Sequence, residues 1–400
     1  MANITNSSDG PKLTPLGRVF IFLFIIGCVV GAYYLFVGKK SLEATKSAAT
    51  SLLSGGPPIE IGIAYGTEKQ RWLEWAVAEF AKTSEGKHIK VNLIPMGSLE
   101  GAHAILSGDQ RINVWSPASA AYKDTFVQEW QVKYNDNPFV REEPIALSPM
   151  VFVVWEERYQ PFIQKYRTMS LETVHDALQV KGGWDEIAHH PDWGLFKFGH
   201  THPNQSNSGL MTIVLAAYSY HHKTRDLTLK DVLDVGFQKW LEELERGASG
   251  MSNSTGNMMR EMVLKGPSSY DVLYVYESVA IDYLKNAEGR WGQLRVVYPE
   301  YNAWNENPYY IINASWSTSD QRKAADTFLK FLLTEPIQKE SLKHGFRPAN
   351  PSVPVKFADS PFELYASNGI QIELQRICEP PKAEVVNNLL ASWQRTQGNR

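Results

Sequence analysis

"IEIGIAYGTEKQRWLEWAVAEFAK", residues 59–82, decides the class of fold. Its first seven residues are strand-like, and after the turn "GTEK" the spacing turns helical, bringing Trp72, Trp75, Ala76 and Phe80 to a common side. The same unit recurs. "HIKVNLIPM" (88–96) is a strand and "LEGAHAILSG" (99–108) a short helix; "INVWS" (112–116) is a strand before the helical "ASAAYKDTFVQEW" (118–130). Further on come the strand "MVFVVW" (150–155), a helix from about Leu171, the strand "GLFKF" (194–198) and a helix after Ser208. The strand "YDVLYVY" (270–276) then leads into the helical "SVAIDYLKN" (278–286). Strands alternating with helices predict βαβ units, a parallel sheet covered on both faces, and two α/β lobes.

The turns at the strand ends carry the functional signal. "AYGTEK" (64–69), "MGSLEG" (96–101), "WSPAS" (115–119), "GHTHPNQSNSG" (199–209) and "YESV" (276–279) each hold a hydroxyl, an amide or an acid where a strand passes into a helix. In open α/β sheets ligands bind at the carboxyl ends of strands, where helix N-termini offer free N–H groups and the positive end of a dipole. N-capping explains any one such turn. Five of them, divided between two lobes, point to a shared cleft.

"VVYPEYNAWNENPYYIINASW" (296–316) followed by "QRKAADTFLKFLLTEPIQKESLKHGFRPAN" (321–350) resembles the C-terminal signature of bacterial extracellular solute-binding proteins. "SPMVFVVWEE" (148–157) is similar to that family's first crossing strand, and "THPNQSNSG" (201–209) to its second-lobe binding loop. "GSLEGAHAILSG" (97–108) with "INVWSPASAAY" (112–122) resembles its first-lobe binding turns. The resemblance runs from about residue 58 to residue 350 and implies a two-lobed type II periplasmic-binding-protein fold, similar to the molybdate-, sulfate- and iron-binding proteins. It implies a non-enzymatic receptor that closes on a small-molecule or ion ligand by hinge motion and hands it to an ABC permease. The chain departs from the family after Pro299, where Glu300, Tyr301 and Asn302 replace the usual Glu-Gly-Thr.

The N-terminus places this body relative to a membrane. "VFIFLFIIGCVVGAYYLFV", Val19 to Val37, is uncharged and bounded by Arg18 and by Lys39 and Lys40. At about 1.5 Å per residue it reaches roughly the 30 Å of a bilayer core. "IIGC" also resembles a lipoprotein cleavage box ending at Cys28, but the apolar run continues to Val37, which favours an uncleaved transmembrane helix. The expected layout is a tail over 1–18, an anchor over 19–37 and a linker over 38–58. Lobe 1 takes 59–147 and 298–400, lobe 2 takes 148–297, and the chain crosses near Ser148–Val154 and Val296–Ile311. The body is then extracytoplasmic and tethered. A membrane-tethered sensor or assembly subunit without a transport role is the alternative function.

Composition excludes several classes. A formal net charge of −3 over 400 residues leaves no basic stripe for nucleic acid. Two cysteines, Cys28 and Cys378, exclude a disulfide scaffold and a cysteine-rich zinc site. No G-x-S-x-G elbow, phosphate-cradling loop or H-E-x-x-H motif occurs, so neither catalysis nor a cofactor is expected.

The expected ligand cradle takes Thr67, Ser98, Ser116 and Ser119 from lobe 1 and Ser206, Asn207, Ser208 and Gly209 from lobe 2. Gly209 is read as leaving room for a ligand. Neutral donors at helix N-termini suit an oxyanion, whereas Glu277 suits an amine, a metal or a sugar hydroxyl, or simply the first turn of a helix. Trp304 and Tyr301, in a loop with asparagines, are the candidates for stacking on an organic ligand. His200 and His202 are the candidate metal ligands, although alternation along an extended loop points them apart.

Overall fold

The computed structural model describes residues 57–398. The tail, the expected anchor at Val19–Val37 and nearly all of the linker lie outside the described residues. Among those described, no helix is long and apolar enough to cross a membrane.

Five strands come first: β1 (Ile59–Tyr65), β2 (Ile89–Pro95), β3 (Val114–Ser116), β4 (Phe139–Pro144) and β5 (Ala146–Leu147). The middle of the chain supplies β6 (Met150–Trp155), β7 (Phe198–Gly199), β8 (Val272–Tyr276) and β9 (Leu294–Val297). The last part supplies β10 (Tyr301–Asn302), β11 (Pro308–Ile312), β12 (Arg347–Pro348) and β13 (Arg376–Ile377). The architecture is a two-lobed α/β fold with one main sheet in each half. The first sheet has the order β2-β1-β3-β11-β4, with β1 parallel to β2 and β3, and β11 antiparallel to β3 and β4. The second has the order β7-β8-β6-β9, with β6 antiparallel to both neighbours.

The βα rhythm arises from packing. In the first sheet, Ile61 and Ile63 of β1 bury with Trp72, Leu73 and Phe80 of the helix Gln70–Phe80 and with Phe328 and Leu329 of the helix Ser319–Leu332. Full burial of such side chains stabilises by about 1.5–3 kcal/mol each. Trp75 lies at the margin of that helix's apolar face and is only partly covered. In the second sheet β6 reads as an unbroken apolar run because helices cover both of its faces, and every residue of it is buried. Only Phe198 of "GLFKF" enters the sheet, with the Gly199 that follows it. The residues before them are diverted by the 3-10 turn Pro191–Trp193 and by Asp271, whose carboxylate accepts the Lys197 N–H at 2.8 Å.

The two crossing segments lie side by side. Ser148 and Asn305 exchange backbone hydrogen bonds of 3.0 Å in each direction. The Asn305 Nδ2 donates to Ser148 O at 2.9 Å, and Asn302 both accepts from Met150 N (3.0 Å) and donates to Met150 O (2.7 Å). The asparagines of the polar loop are therefore braces: Asn302, Asn305 and Asn307 are all buried.

Past Pro348 the chain leaves the lobe rhythm. β13 pairs in parallel with β10, and the helix Ala383–Gly398 packs against the helix Lys123–Tyr134 as well as the helices Asn207–Tyr220, Leu229–Val232 and Val235–Gly247. Thr125 Oγ1 donates to Asn387 Oδ1 at 2.9 Å on one side, and Trp393 Nε1 donates to Glu245 Oε2 at 2.6 Å on the other.

Candidate ligand-binding cleft

The strand-end turns of the two halves meet. Ser119, after β3, donates from Oγ to Asn207 Oδ1 at 2.8 Å, and the Asn207 Nδ2 donates to Tyr276 OH at 3.0 Å and Asn305 Oδ1 at 3.3 Å. Asn207 is the first residue of the helix Asn207–Tyr220, with Ser206 at the N-cap position. Pro203 and the bonds from Gln205 N and Ser206 N to His202 O form the turn that precedes it. Ser206 does not cap through its side chain. Its Oγ stands 3.2 Å from Ser208 Oγ, which also meets Thr201 Oγ1 at 2.5 Å and Thr255 Oγ1 at 2.7 Å. The N–H groups of Asn207, Ser208 and Gly209 find no acceptor among the described residues, as expected for the first turn of a helix.

Thr67 and Ser254 make a second contact between the halves, Oγ1 to Oγ at 3.0 Å, and Arg71 Nη1 donates to Asp282 Oδ1 at 3.1 Å. Around them a polar cavity of about 450 Å³ opens between the turns 67–71 and 95–100 on one side and residues 253–260 and 279–283 on the other. Ser98 Oγ accepts the Ala118 N–H at 3.1 Å, which holds the second and third turns together. Ser116 Oγ is fully buried with no hydrogen-bond partner among the described residues.

The structure thus joins Ser119, Asn207, Ser206 and Ser208 in one buried network, with Thr67 at a neighbouring contact and Ser98 supporting the turns. Three other residues differ from expectation. Glu277 is not open to a ligand: Arg347 holds it through Nε to Oε2 at 2.8 Å and Nη2 to Oε1 at 2.7 Å, and Tyr298 OH donates to the same carboxylate. A carboxylate buried at the end of β8 requires that cation. Gly209 is needed by its own loop, since a Cβ there would lie 2.2 Å from Thr201 O. Tyr301 is buried in β10, where Arg376 Nη1 donates to its hydroxyl at 3.1 Å. Trp304 stays half-buried, with the Arg347 guanidinium 5.2 Å from its ring centre.

The histidines are committed elsewhere. His200 is fully buried, its Nδ1 donating to Thr201 O at 2.8 Å and its Nε2 in an ion pair with Glu245 Oε1 at 3.1 Å. Burial alone would lower its pKa, but Glu245 and the Thr201 carbonyl together hold it above the usual histidine value. His202 Nδ1 accepts the Asn204 N–H at 3.2 Å, and its ring lies edge-on to Trp393. No group of three or more His, Cys, Asp or Glu residues able to hold a metal ion occurs among the described residues.

Sequence reading passes over several contributors. Tyr276, the last residue of β8, stands at the centre, its hydroxyl pKa driven far up by burial and by Glu68. Lys69 is fully buried, its Nζ bonded to Glu68 Oε1 (2.5 Å), Asn307 Oδ1 (3.0 Å) and Pro117 O (3.2 Å), and burial pulls its pKa down. The signal for Lys69 was its place in the first strand-end turn. Ser254 and Thr255 arrive from a distant helix start and carry no local signal.

The profile described as "Bacterial extracellular solute-binding protein" matches residues 61–347. A thiosulfate-binding protein from Pseudomonas aeruginosa is 33% identical over 89 residues, 22% of this chain and 26% of that protein. The chain therefore spans about a quarter of the curated relative it matches. Among solved structures, the sulfate-binding protein SubI from Mycobacterium tuberculosis superposes with a TM-score of 0.54 at 14% identity, covering 86% of this chain and 99% of that one. Iron-bound HitA from Pseudomonas aeruginosa gives 0.56 at 12% identity, covering 85% and 99%. At these identities the superpositions establish the fold.

Proposed function

Because the chain belongs to the bacterial extracellular solute-binding protein family, we propose that its lobes, 59–147 with 298–400 and 148–297, close on a small oxyanion. The family consists of binding proteins of ABC-transporter type, whose bodies are extracytoplasmic and which are not enzymes. One observation carries the choice of ligand. The N–H groups of Asn207, Ser208 and Gly209 have no acceptor among the described residues, and they head a 14-residue helix whose dipole favours negative charge. The objection from Glu277 falls away, since Arg347 neutralises it. The likeness to a thiosulfate-binding and a sulfate-binding protein supports the same class. Thr67, Ser98, Ser116 and Ser119 furnish the facing hydroxyls.

Val19–Val37 tethers this body to the membrane, where an ABC permease is the partner; intact mass showing cleavage before Cys28 would remove that tether. One observation favours a tethered sensor or assembly subunit instead. The helix Ala383–Gly398 bonds to elements of both halves, which resists the opening that delivery requires.

The test is thermal unfolding with thiosulfate, sulfate and molybdate, for wild type and for Ser206→Ala, Asn207→Ala and Ser208→Ala. A bound anion at a hundredfold excess over its Kd should add about 2.7 kcal/mol, and the variants should shrink that gain. Anion shifts that are absent, or unchanged in all three variants, would reject the cradle.

A further inference from the structure

A cavity of about 460 Å³ opens beside the Ser119–Asn207 contact and shares no lining residue with the polar cavity at Thr67 and Ser254. Thr224 and Arg225 lie at its rim, and its walls come from four other segments. Ser119–Ala121 follow β3, Met211, Val214 and Tyr218 come from the helix Asn207–Tyr220, and Ala303, Trp304 and Glu306 come from the return crossing. The fourth wall, Ile377 to Pro381, lies beyond the residues that match the family, so this enclosure belongs to the chain's own C-terminal segment. That segment is pinned in place: Cys378 N donates to Asn302 O at 2.6 Å, Glu379 N to Thr224 O at 2.9 Å, and Tyr218 OH to Glu379 O at 2.8 Å.

The chemistry of the walls is unequal. Met211, Val214 and Ile377 are aliphatic or thioether surface, and Trp304 and Tyr218 add aromatic surface. Against these stands one largely buried carboxylate, Glu306. It accepts the Ala120 N–H at 3.3 Å, and no cation among the described residues stands within ion-pair distance of it. Burial raises its pKa, the sign of a carboxylate lacking a counter-charge. The other charges nearby are spent or peripheral. Arg347, over the Trp304 ring, is paired with Glu277, while Arg225 and Glu379 lie exposed at the mouth.

We propose that this cavity is a binding site for a small organic amine, its ammonium on the Glu306 carboxylate and its apolar body against Trp304, Tyr218 and Met211. A desolvated carboxylate beside aromatic faces is the setting in which an ammonium gains both an ion pair and cation–π attraction. The volume suits a ligand of one ring and a short chain. Because the walls come from both halves and from the C-terminal segment, an occupant touches all three. The site shares Ser119 with the oxyanion cradle but none of the Asn207–Gly209 N–H groups, and a different ligand and a different residue test it, so its failure is distinguishable from that of the oxyanion reading.

The experiment uses the full-length protein in mild detergent and titrates phenethylamine against phenethyl alcohol by calorimetry. The amine should bind with one-to-one stoichiometry and about tenfold or more tighter than the alcohol, the discrimination expected for a buried charge pair. Glu306→Gln keeps the acceptor for Ala120 N–H and should abolish that preference, while Trp304→Leu should weaken both ligands. Should Glu306→Gln fail to fold, the wild type supplies the same answer: amine affinity should fall as the pH is lowered and Glu306 takes up its proton, and alcohol affinity should not. Equal binding of amine and alcohol, an amine preference that survives Glu306→Gln or is flat with pH, or no amine binding at all would each overturn the assignment.

Discussion

Glu277 and Arg347, seventy residues apart, are the pair on which the end of β8 depends. Neither is exposed, and the guanidinium reaches the carboxylate through two nitrogens while also donating to Gln371 O at 2.7 Å. Removing one partner of such a pair leaves an uncompensated buried charge, which costs about 3–5 kcal/mol. Arg347→Ala should therefore lower the unfolding free energy measured by urea denaturation by an amount of that order, whereas Glu277→Leu with Arg347→Met together should recover most of it. A single variant as stable as wild type would show that the pair is not what holds this corner. The residue scale is also where the sequence reading was weakest. Glu277 was itself a candidate ligand residue in sequence, and nothing local revealed that Arg347 would neutralise it. The hydroxyls of Ser206 and Ser208 were legible as a polar cluster at a helix start. Their partner Thr255 was not, since it comes from a separate helix.

At the scale of elements, the early strands and helices were legible because each apolar face follows a local period of 2 or 3.6. The C-terminal segment was not, because its residues meet several elements in turn. Cys378 lies in it, buried, its thiol pushed up to about 12 by the loss of water. A thiol in that state reacts slowly with any electrophile. In a Cys28→Ser background Cys378 should resist thiol labelling until the segment lifts. Trp393 anchors the same segment through its buried ring and the bond to Glu245, so Trp393→Ala should cost about 3–5 kcal/mol and accelerate the labelling. Labelling at the wild-type rate in that variant would mean that the helix Ala383–Gly398 does not hold the segment down.

For the molecule as a whole, the approach of the two halves depends on Gly97. Its φ of −61° and ψ of 148° are open to any residue, yet a Cβ there would stand 2.2 Å from the carbonyl oxygen of Gln205 across the cleft. Gly97→Ala should leave each half folded and prevent this degree of closure, giving a larger radius of gyration by X-ray scattering and a smaller stabilisation by bound solute. Unchanged scattering together with an unchanged solute response would discard Gly97 as the closure contact. By itself the sequence determined the α/β class and the order of its early units, and it located turns that the fold brings to a common cleft. Those properties are written in local periodicity and in which residues can start a helix. Tertiary structure alone decided which polar groups the cleft keeps for itself, that Glu277 is neutralised, that Gly97 answers to the Gln205 carbonyl, and that the helix Ala383–Gly398 packs against both halves. Each of those depends on atoms far apart in the chain, and a buried charge or hydroxyl has no fixed role until its partner is in place.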